Sequence, residues 1–353
     1  MAAPVRPVNF PRPSPMTTAA RHRDSTTTVA GWQRELADAI RDPDDLRRML
    51  DLPPATAAEA RASAGGFPLL VPRGFVARMR RGDRRDPLLL QVLPQAAEMV
   101  AADGYSADPL DEAAALAAPG LVKKYAGRAL LLVTGGCAIN CRYCFRREFP
   151  YAASGASRRG VETGLETIAA DATITEVILS GGDPLLADDA FLATIVARLD
   201  AMPHVERLRI HTRLPIVLPS RITAGLVDVL QASRLARVVV LHANHPAELD
   251  ESVAEAVQRI AATPAIVLNQ AVLLAGVNDS AAVLRSLSER LVELGVVPYY
   301  LHLLDRVRGA THFDVPEPRA LALHRELRES LPGYAVPRLV REVPGEPAKV
   351  WMD

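Results

Sequence analysis

From Lys124 onward, short apolar runs alternate with amphipathic helical segments, and this rhythm restricts the fold more than any other feature of the chain. The runs are 129–134, 176–180, 205–212, 237–243, 265–271 and 298–304. Helical patterns lie between and after them, near 160–170, 188–201, 219–233, 248–262, 280–294 and 316–331. Several runs are rich in Val, Ile and Leu, the composition of strands covered on both faces. Strands that alternate with helices form a parallel sheet, because a parallel pair needs a crossover long enough to hold a helix. Six such units are too few for a closed eight-stranded barrel. The expected fold is therefore α/β, an open partial (βα)6 barrel, with an open doubly wound sheet as the competing arrangement.

Unusual polar residues fall on one end of these units. The segment Cys137-Ala138-Ile139-Asn140-Cys141-Arg142-Tyr143-Cys144 follows the first run, and Ser180-Gly181-Gly182-Asp183 follows the second. His211-Thr212-Arg213 ends the third, and His242 and Asn244-His245 end the fourth. Asn269-Gln270 sits late in the fifth, and Asp305 follows the sixth. Barrel enzymes gather their active sites at the carboxyl ends of the strands. The placement points to a catalytic barrel over a binding module.

The cysteine segment holds all three cysteines of the 353-residue chain, spaced C-x3-C-x2-C. Three close thiolates can ligate three irons of a [4Fe–4S] cube and leave the fourth iron open. An open iron can bind S-adenosylmethionine through its amine and carboxylate, and reduction then yields radical chemistry that side chains alone cannot perform. A closed zinc site normally takes four protein ligands, and there is no fourth cysteine. A disulfide would leave one thiol over, at a spacing unlike a secreted framework. Exposed clusters survive in reducing surroundings, so a cytoplasmic location is expected.

The 41 basic and 41 acidic residues balance, so no global field points to nucleic acid or a membrane surface. No apolar run reaches the ~18 residues of a membrane span. Residues 1–29 read as a proline-bearing disordered lead without a signal-peptide core. Residues 30–120 read as a helical N-terminal region, with helices expected over 32–50, 56–63 and 72–80. The barrel is expected over 121–331 and a C-terminal segment over 332–353. The basic run Arg80, Arg81, Arg84 and Arg85 is either a solvated face or a docking patch for an acidic partner.

Taken singly, the motifs leave alternatives open. Ser180, Gly181, Gly182 and Asp183 could form an ordinary tight turn, or a backbone that approaches a ligand closely. Arg146 and Arg147 could balance a cluster's charge, or one could grip a carboxylate bidentately. His242 and Gln270 could be satisfied polar residues at strand ends. Lys349 could be a mobile terminal charge, or a lysine that carries pyridoxal phosphate.

Together the motifs resemble the lysine 2,3-aminomutase family of radical SAM enzymes, in particular the branch that supplies β-lysine for modifying elongation factor P. The resemblance rests on 137–147, 176–185, 209–223, 242–246, 269–279, 304–313 and 333–349, with 32–50, 71–73 and 88–94 in the lead-in. It implies a radical-driven shift of the amino group of L-lysine from C2 to C3. Its cofactors would be a [4Fe–4S] cluster, S-adenosylmethionine and pyridoxal phosphate. Cys137, Cys141 and Cys144 would ligate the cluster. Ser180, Gly181, Gly182, Asp183, His242 and Gln270 would contact S-adenosylmethionine. Lys349 would carry pyridoxal phosphate and Arg128 would pair with its phosphate. Arg146 would bind the substrate carboxylate, and Asp305 and Glu342 its ε-ammonium.

The resemblance also implies an external electron donor and a link to elongation factor P and its β-lysine ligase. Three departures are visible. Glu342 stands where free-lysine aminomutases carry an aspartate. Their cysteine-bearing tail has no counterpart, and the usual Lys-Thr-Pro is Lys349-Val350-Trp351. The first two match the elongation-factor branch. Competing readings are an aminomutase for glutamate or arginine, and a non-catalytic iron–sulfur protein.

Overall fold

The computed structural model describes residues 31–352, so the expected disordered lead lies outside the described residues. Helices α1 (Gly31–Ala37) and α2 (Pro43–Met49) replace the single helix expected over 32–50. Pro43 has no N–H to continue a helix, and the Asp42 side chain caps the new start by accepting from the Asp44 N–H. Ile40, between them, instead exchanges backbone bonds with Val71. Helix α3 spans Pro54–Ser63. The helix expected over 72–80 shrinks to one turn, α4 (Arg73–Val76), and α5 is another, Pro87–Leu90.

Ten strands follow in one sheet, in chain order from edge to edge. The first two are short: β1 (Leu116–Ala118) and β2 (Leu121–Val122). The six expected strands are all present: β3 (Arg128–Thr134), β4 (Glu176–Gly181), β5 (Arg207–Thr212), β6 (Ala236–Leu241), β7 (Ile266–Val272) and β8 (Val297–His302). A seventh parallel strand, β9 (Arg338–Arg341), joins β8, and β10 (Val350–Trp351) returns antiparallel to β9. At the other edge β2 runs antiparallel to β3. The sheet thus extends past residues 120 and 332 into both flanking segments.

The crossover helices are α6 (Arg158–Ala170), α7 (Asp189–Asp200), the short α8 (Leu214–Val217) with α9 (Ala224–Ala232), α10 (Glu251–Ala261), α11 (Ala281–Glu293) and α12 (Glu317–Ser330). Four have a polar cap. Ser157, Asp188, Thr223 and Asp250 each accept a first-turn N–H, of Gly160, Phe191, Leu226 and Val253. Their apolar faces, such as Leu165, Ile195, Leu226 and Val257, pack with outward strand residues such as Leu131, Leu179, Ile210 and Val239 in one core. Each such side chain contributes about 1.5–3 kcal/mol of burial.

The sheet curls until its two flanks meet. Lys124, just past β2, places Nζ 3.0 Å from Oε1 of Glu342, just past β9. The result is an open barrel with a polar interior. On β5, Leu208 and Ile210 are buried in the core while Arg209 and His211 line a central cavity. Tyr300 and His302 on β8 and Gln270 on β7 line it too.

Candidate active site

The cavity measures about 320 Å³. It brings together every site residue expected from the sequence, from Cys137 to Lys349.

The helical N-terminal region holds the cysteine loop. The Asn140 N–H donates to Leu70 O (3.0 Å) and the Arg142 N–H to Gln91 O (2.9 Å). The fully buried Arg142 donates through Nε to Glu98 Oε1 (2.9 Å), and Arg147 reaches the same carboxylate through Nη2 (2.7 Å). Arg147 also donates to Arg142 O and Gly309 O, so it braces the loop from behind.

Burial, then the neighbouring cysteine charges, raises the Cys137 thiol, and the same two causes push Cys144 up to about 12. Thiols so placed favour a partner that brings positive charge, which iron does. Among the described residues, no three His, Cys, Asp or Glu side chains are grouped to hold a single metal ion. The donor set, three half-buried sulfurs on one loop, suits a cluster with one iron left for another ligand.

The second motif is packed against the first. A Cβ on Gly182 would lie 2.0 Å from Gly136 O, and one on Gly181 (φ +123°) 2.3 Å from Thr134 O. The Gly182 N–H donates to Thr134 O (2.7 Å) and the Asp183 N–H to Gly136 O (2.8 Å). The glycines therefore seat the strand end on the cysteine loop. The Asp183 carboxylate accepts from Thr212 Oγ1 (2.8 Å) and from the backbone N–H groups of Arg213 (2.7 Å), Leu185 and Leu214, and so staples β4 to the end of β5.

Ion pairs connect the cysteine loop to the tail. Arg146 is buried and bidentate on Glu112 (Nε–Oε2 2.5 Å, Nη2–Oε1 2.9 Å). Its Nη1 donates to Ser180 Oγ and Gly181 O, both at 3.1 Å. Burial works against its charge, but Glu112 outweighs burial and keeps the guanidinium ionised. Lys124 bridges Glu112 (3.2 Å) and Glu342 (3.0 Å), and Lys349 Nζ donates to Glu342. Burial pushes Glu342 up, yet Lys349 and Lys124 prevail and hold it at about 2. Among the described residues Asp305 has no such pair, and it rises to about 7, through burial first and the Glu342 charge second.

Strand β10 explains how a lysine so near the end of the chain reaches this site. Val350 pairs with Arg341 and Trp351 with Val340, which brings Lys349 beside Glu342 and 6.0 Å from the Tyr300 ring. The substitution of Val350-Trp351 for Thr-Pro thus gives residues that can pair in a sheet, where proline could not donate. Arg128 lines the cavity and stacks on Tyr125 at 4.8 Å, and its guanidinium is of a kind suited to a phosphate.

His242 Nε2 lies 2.9 Å from Gln270 Nε2, and burial pushes its pKa down to about 3, so the ring is neutral. Nε2 of His211 and of His302 is buried and has no hydrogen-bond partner among the described residues, and both rings belong to the cavity wall. Three other strand-end residues do not face it. Asn269 binds the Ala243 backbone at both ends of its amide, Asn244 joins Gln91, Tyr143 and Val272, and His245 caps its own turn.

Glu112, Lys124, Arg209 and His302 escaped the sequence reading, whereas His211 was among the strand-end residues it singled out. For Arg209 a signal exists, since it lies two residues before His211 and polar residues at every second position of β5 mark an inward face. For Glu112, in a loop with no periodicity, there is none.

The basic run of the lead-in is largely neutralised. Arg80 pairs with Asp83 and Asp86, Arg81 with Asp51 and Arg84 with Glu59, which favours a solvated face over an acidic docking partner. Among the described residues no helix is long and apolar enough to cross a membrane.

Residues 131–242 match the Radical SAM superfamily. The chain is 48% identical over 334 residues to L-lysine 2,3-aminomutase of Escherichia coli (strain K12), covering 93% of this chain and 96% of that protein. It is 46% identical over 318 residues to L-lysine 2,3-aminomutase of Haemophilus influenzae, covering 90% and 94%. With L-lysine 2,3-aminomutase of Buchnera aphidicola it shares 43% over 323 residues, covering 91% and 95%. Likeness of this degree spans the cysteine loop, the strand ends and the barrel that joins them. The chain belongs to the lysine 2,3-aminomutase family of radical SAM isomerases, which implies a [4Fe–4S] cluster, S-adenosylmethionine and pyridoxal phosphate as its cofactors.

Proposed function

We propose that this protein converts L-lysine to β-lysine, with Lys349 as the lysine that carries pyridoxal phosphate. The observation that carries the reading is that one cavity holds the three cysteines, Lys349 and two carboxylates suited to an ammonium, Asp305 and Glu342. When bound, the three cofactors supply a hydrogen-abstracting radical and a carrier for the migrating nitrogen.

The chain's own residues bind and orient. Arg146 presents a charged guanidinium at the end of the cysteine loop, and it would divide its N–H donors between Glu112 and the substrate carboxylate. Asp305 and Glu342 offer negative charge to the far ammonium. Two anchors at opposite ends of lysine hold one C–H toward the cluster side, and such positioning supplies a large part of a barrier reduction. Ser180, Gly181, Gly182, His242 and Gln270 would hold S-adenosylmethionine, with Asp183 fixing the loop on which they sit. Arg128 would hold the phosphate. With the cofactors and lysine in place, the filled cavity would leave little room for water beside the reacting atoms.

The two carboxylates also separate the substrates. Glutamate would bring a third negative charge to Asp305 and Glu342, and arginine would bring a longer cation. The non-catalytic reading leaves Lys349 and the interior polar face without a role. The β-lysine would serve a separate ligase acting on elongation factor P, in the cytoplasm, with electrons from an external one-electron donor. Glu342 in place of an aspartate supports that branch.

The decisive assay is anaerobic, with reconstituted protein, S-adenosylmethionine, pyridoxal phosphate, reductant and each of lysine, glutamate and arginine. β-Lysine is expected from lysine alone. Lys349→Ala should abolish turnover and the visible absorbance of lysine-bound pyridoxal phosphate, while iron content is kept. Turnover of glutamate in preference to lysine would sink the assignment. The intact mass of elongation factor P, expressed with and without this protein beside its ligase, tests the downstream link.

A further inference from the structure

Arg213 has no place in the scheme above, yet its guanidinium reaches a sulfur of the cysteine loop. It directly follows β5 and its side chain is buried. Nη1 donates to Cys141 Sγ at 2.7 Å. Nη2 donates to Gln91 Oε1 (2.7 Å) and to Glu248 Oε2 (3.0 Å). Its backbone N–H is held by Asp183, and the guanidinium lies 5.6 Å from the rings of both Phe75 and Tyr143.

Glu248 is fully buried and equally constrained. Its Oε1 accepts from Gln91 Nε2 (3.1 Å) and from the backbone N–H groups of Asn244 (3.0 Å) and His245 (3.1 Å). Arg146 and Arg147 differ from Arg213, because their guanidinium groups face the carboxylates of Glu112 and Glu98. Arg213 instead divides itself between a carboxylate and a sulfur.

One-electron reduction adds a full negative charge to a cluster, with no bond made or broken and no proton taken up. A cation held on a ligand sulfur stabilises the reduced form more than the oxidised form, and a nearby anion does the reverse. Both effects are strong where water is excluded. We propose that Arg213 raises the reduction potential of the cluster through Cys141, and that Glu248 offsets part of this effect. Arg213 would thereby place the cluster within reach of a biological one-electron donor. The inference rests on Cys141 being a cluster ligand.

The test is a potentiometric titration of the reconstituted holoenzyme, followed by the paramagnetic resonance signal of the reduced cluster. Wild type, Arg213→Gln and Glu248→Gln are compared without lysine, with dithionite as reductant and iron and sulfide measured in each. The expected midpoint is more negative in Arg213→Gln and less negative in Glu248→Gln. Loosened packing alone has no reason to move the two in opposite directions. Loaded variants whose potentials are unmoved, or move the same way, overturn the proposal. If Arg213→Gln takes up no cluster, Glu248→Gln decides alone: a less negative midpoint supports the proposal and an unchanged one overturns it. A wild type that binds no iron sinks the cluster assignment and this inference with it, an outcome distinct from a loaded cluster with unmoved potentials.

Discussion

Asp305 keeps its proton up to about pH 7, because burial disfavours its charge and Glu342 repels it, with Lys349 and Lys124 pulling the other way. Its usual value is 3.8. Folding therefore gains from the protonated form below that value, and the gain is lost as pH rises toward 7. The proposed role of Asp305 demands the opposite state, since a substrate ammonium pairs with a carboxylate. Lysine binding should thus expel a proton from Asp305 at pH 6, and release almost none at pH 8. Titration calorimetry of the holoenzyme in two buffers of different ionisation heat measures that proton. Apparent affinity for lysine should rise roughly tenfold per pH unit below the pKa and level off above it, as one linked proton requires. Asp305→Asn should bind lysine weakly and without this slope; retention of the slope would assign the proton elsewhere.

At the scale of elements, the six strands β3–β8 and their helices were legible because each buried strand and each amphipathic helix carries its own periodicity. Strands β1, β2, β9 and β10 were not. Two to four residues are too few to show a period, and their pairing is decided by neighbours distant in sequence. The cysteine loop was readable from spacing, but its supports, Glu98, Gln91 and Glu112, are single residues in single-turn helices, helix ends and loops too short to show a period. The Ser180–Asp183 turn was read as a ligand cradle, and its packing role emerges only from the crossing of two backbones. Gly182→Ala tests that role. A methyl group 2.0 Å from Gly136 O must displace the cysteine loop or the strand end. The expected cost is about 1–3 kcal/mol of stability, read from denaturant unfolding, together with a clear loss of iron on reconstitution. Normal iron content would show that the two segments separate without harm to the cluster site.

For the molecule as a whole, closure of the open barrel rests on Lys124. It joins the β2 flank to the β9 flank through Glu342 and reaches inward to Glu112. Lys124 is 17% exposed, Glu342 15% and Glu112 4%, so this is not a surface pair of negligible worth. Lys124→Met keeps the apolar stem and removes the charge, leaving two carboxylates without one of their cations. Breaking a buried pair from one side costs about 3–5 kcal/mol, and partial exposure argues for the lower end. The cost should also depend on pH. Glu342 is held at about 2 against an ordinary 4.5, so its share of stability is present above pH 4.5 and fades as pH falls toward 2. Unfolding by urea at pH 7, 5 and 3 should show Lys124→Met several kcal/mol less stable than wild type at pH 7, with the gap narrowing at pH 3. Lys124→Met combined with Glu342→Gln should recover part of the loss at pH 7, since it removes one of the stranded charges. A gap below about 1 kcal/mol at pH 7 would reduce the bridge to an ordinary surface contact, and closure would then belong to the strand pairing and the core alone.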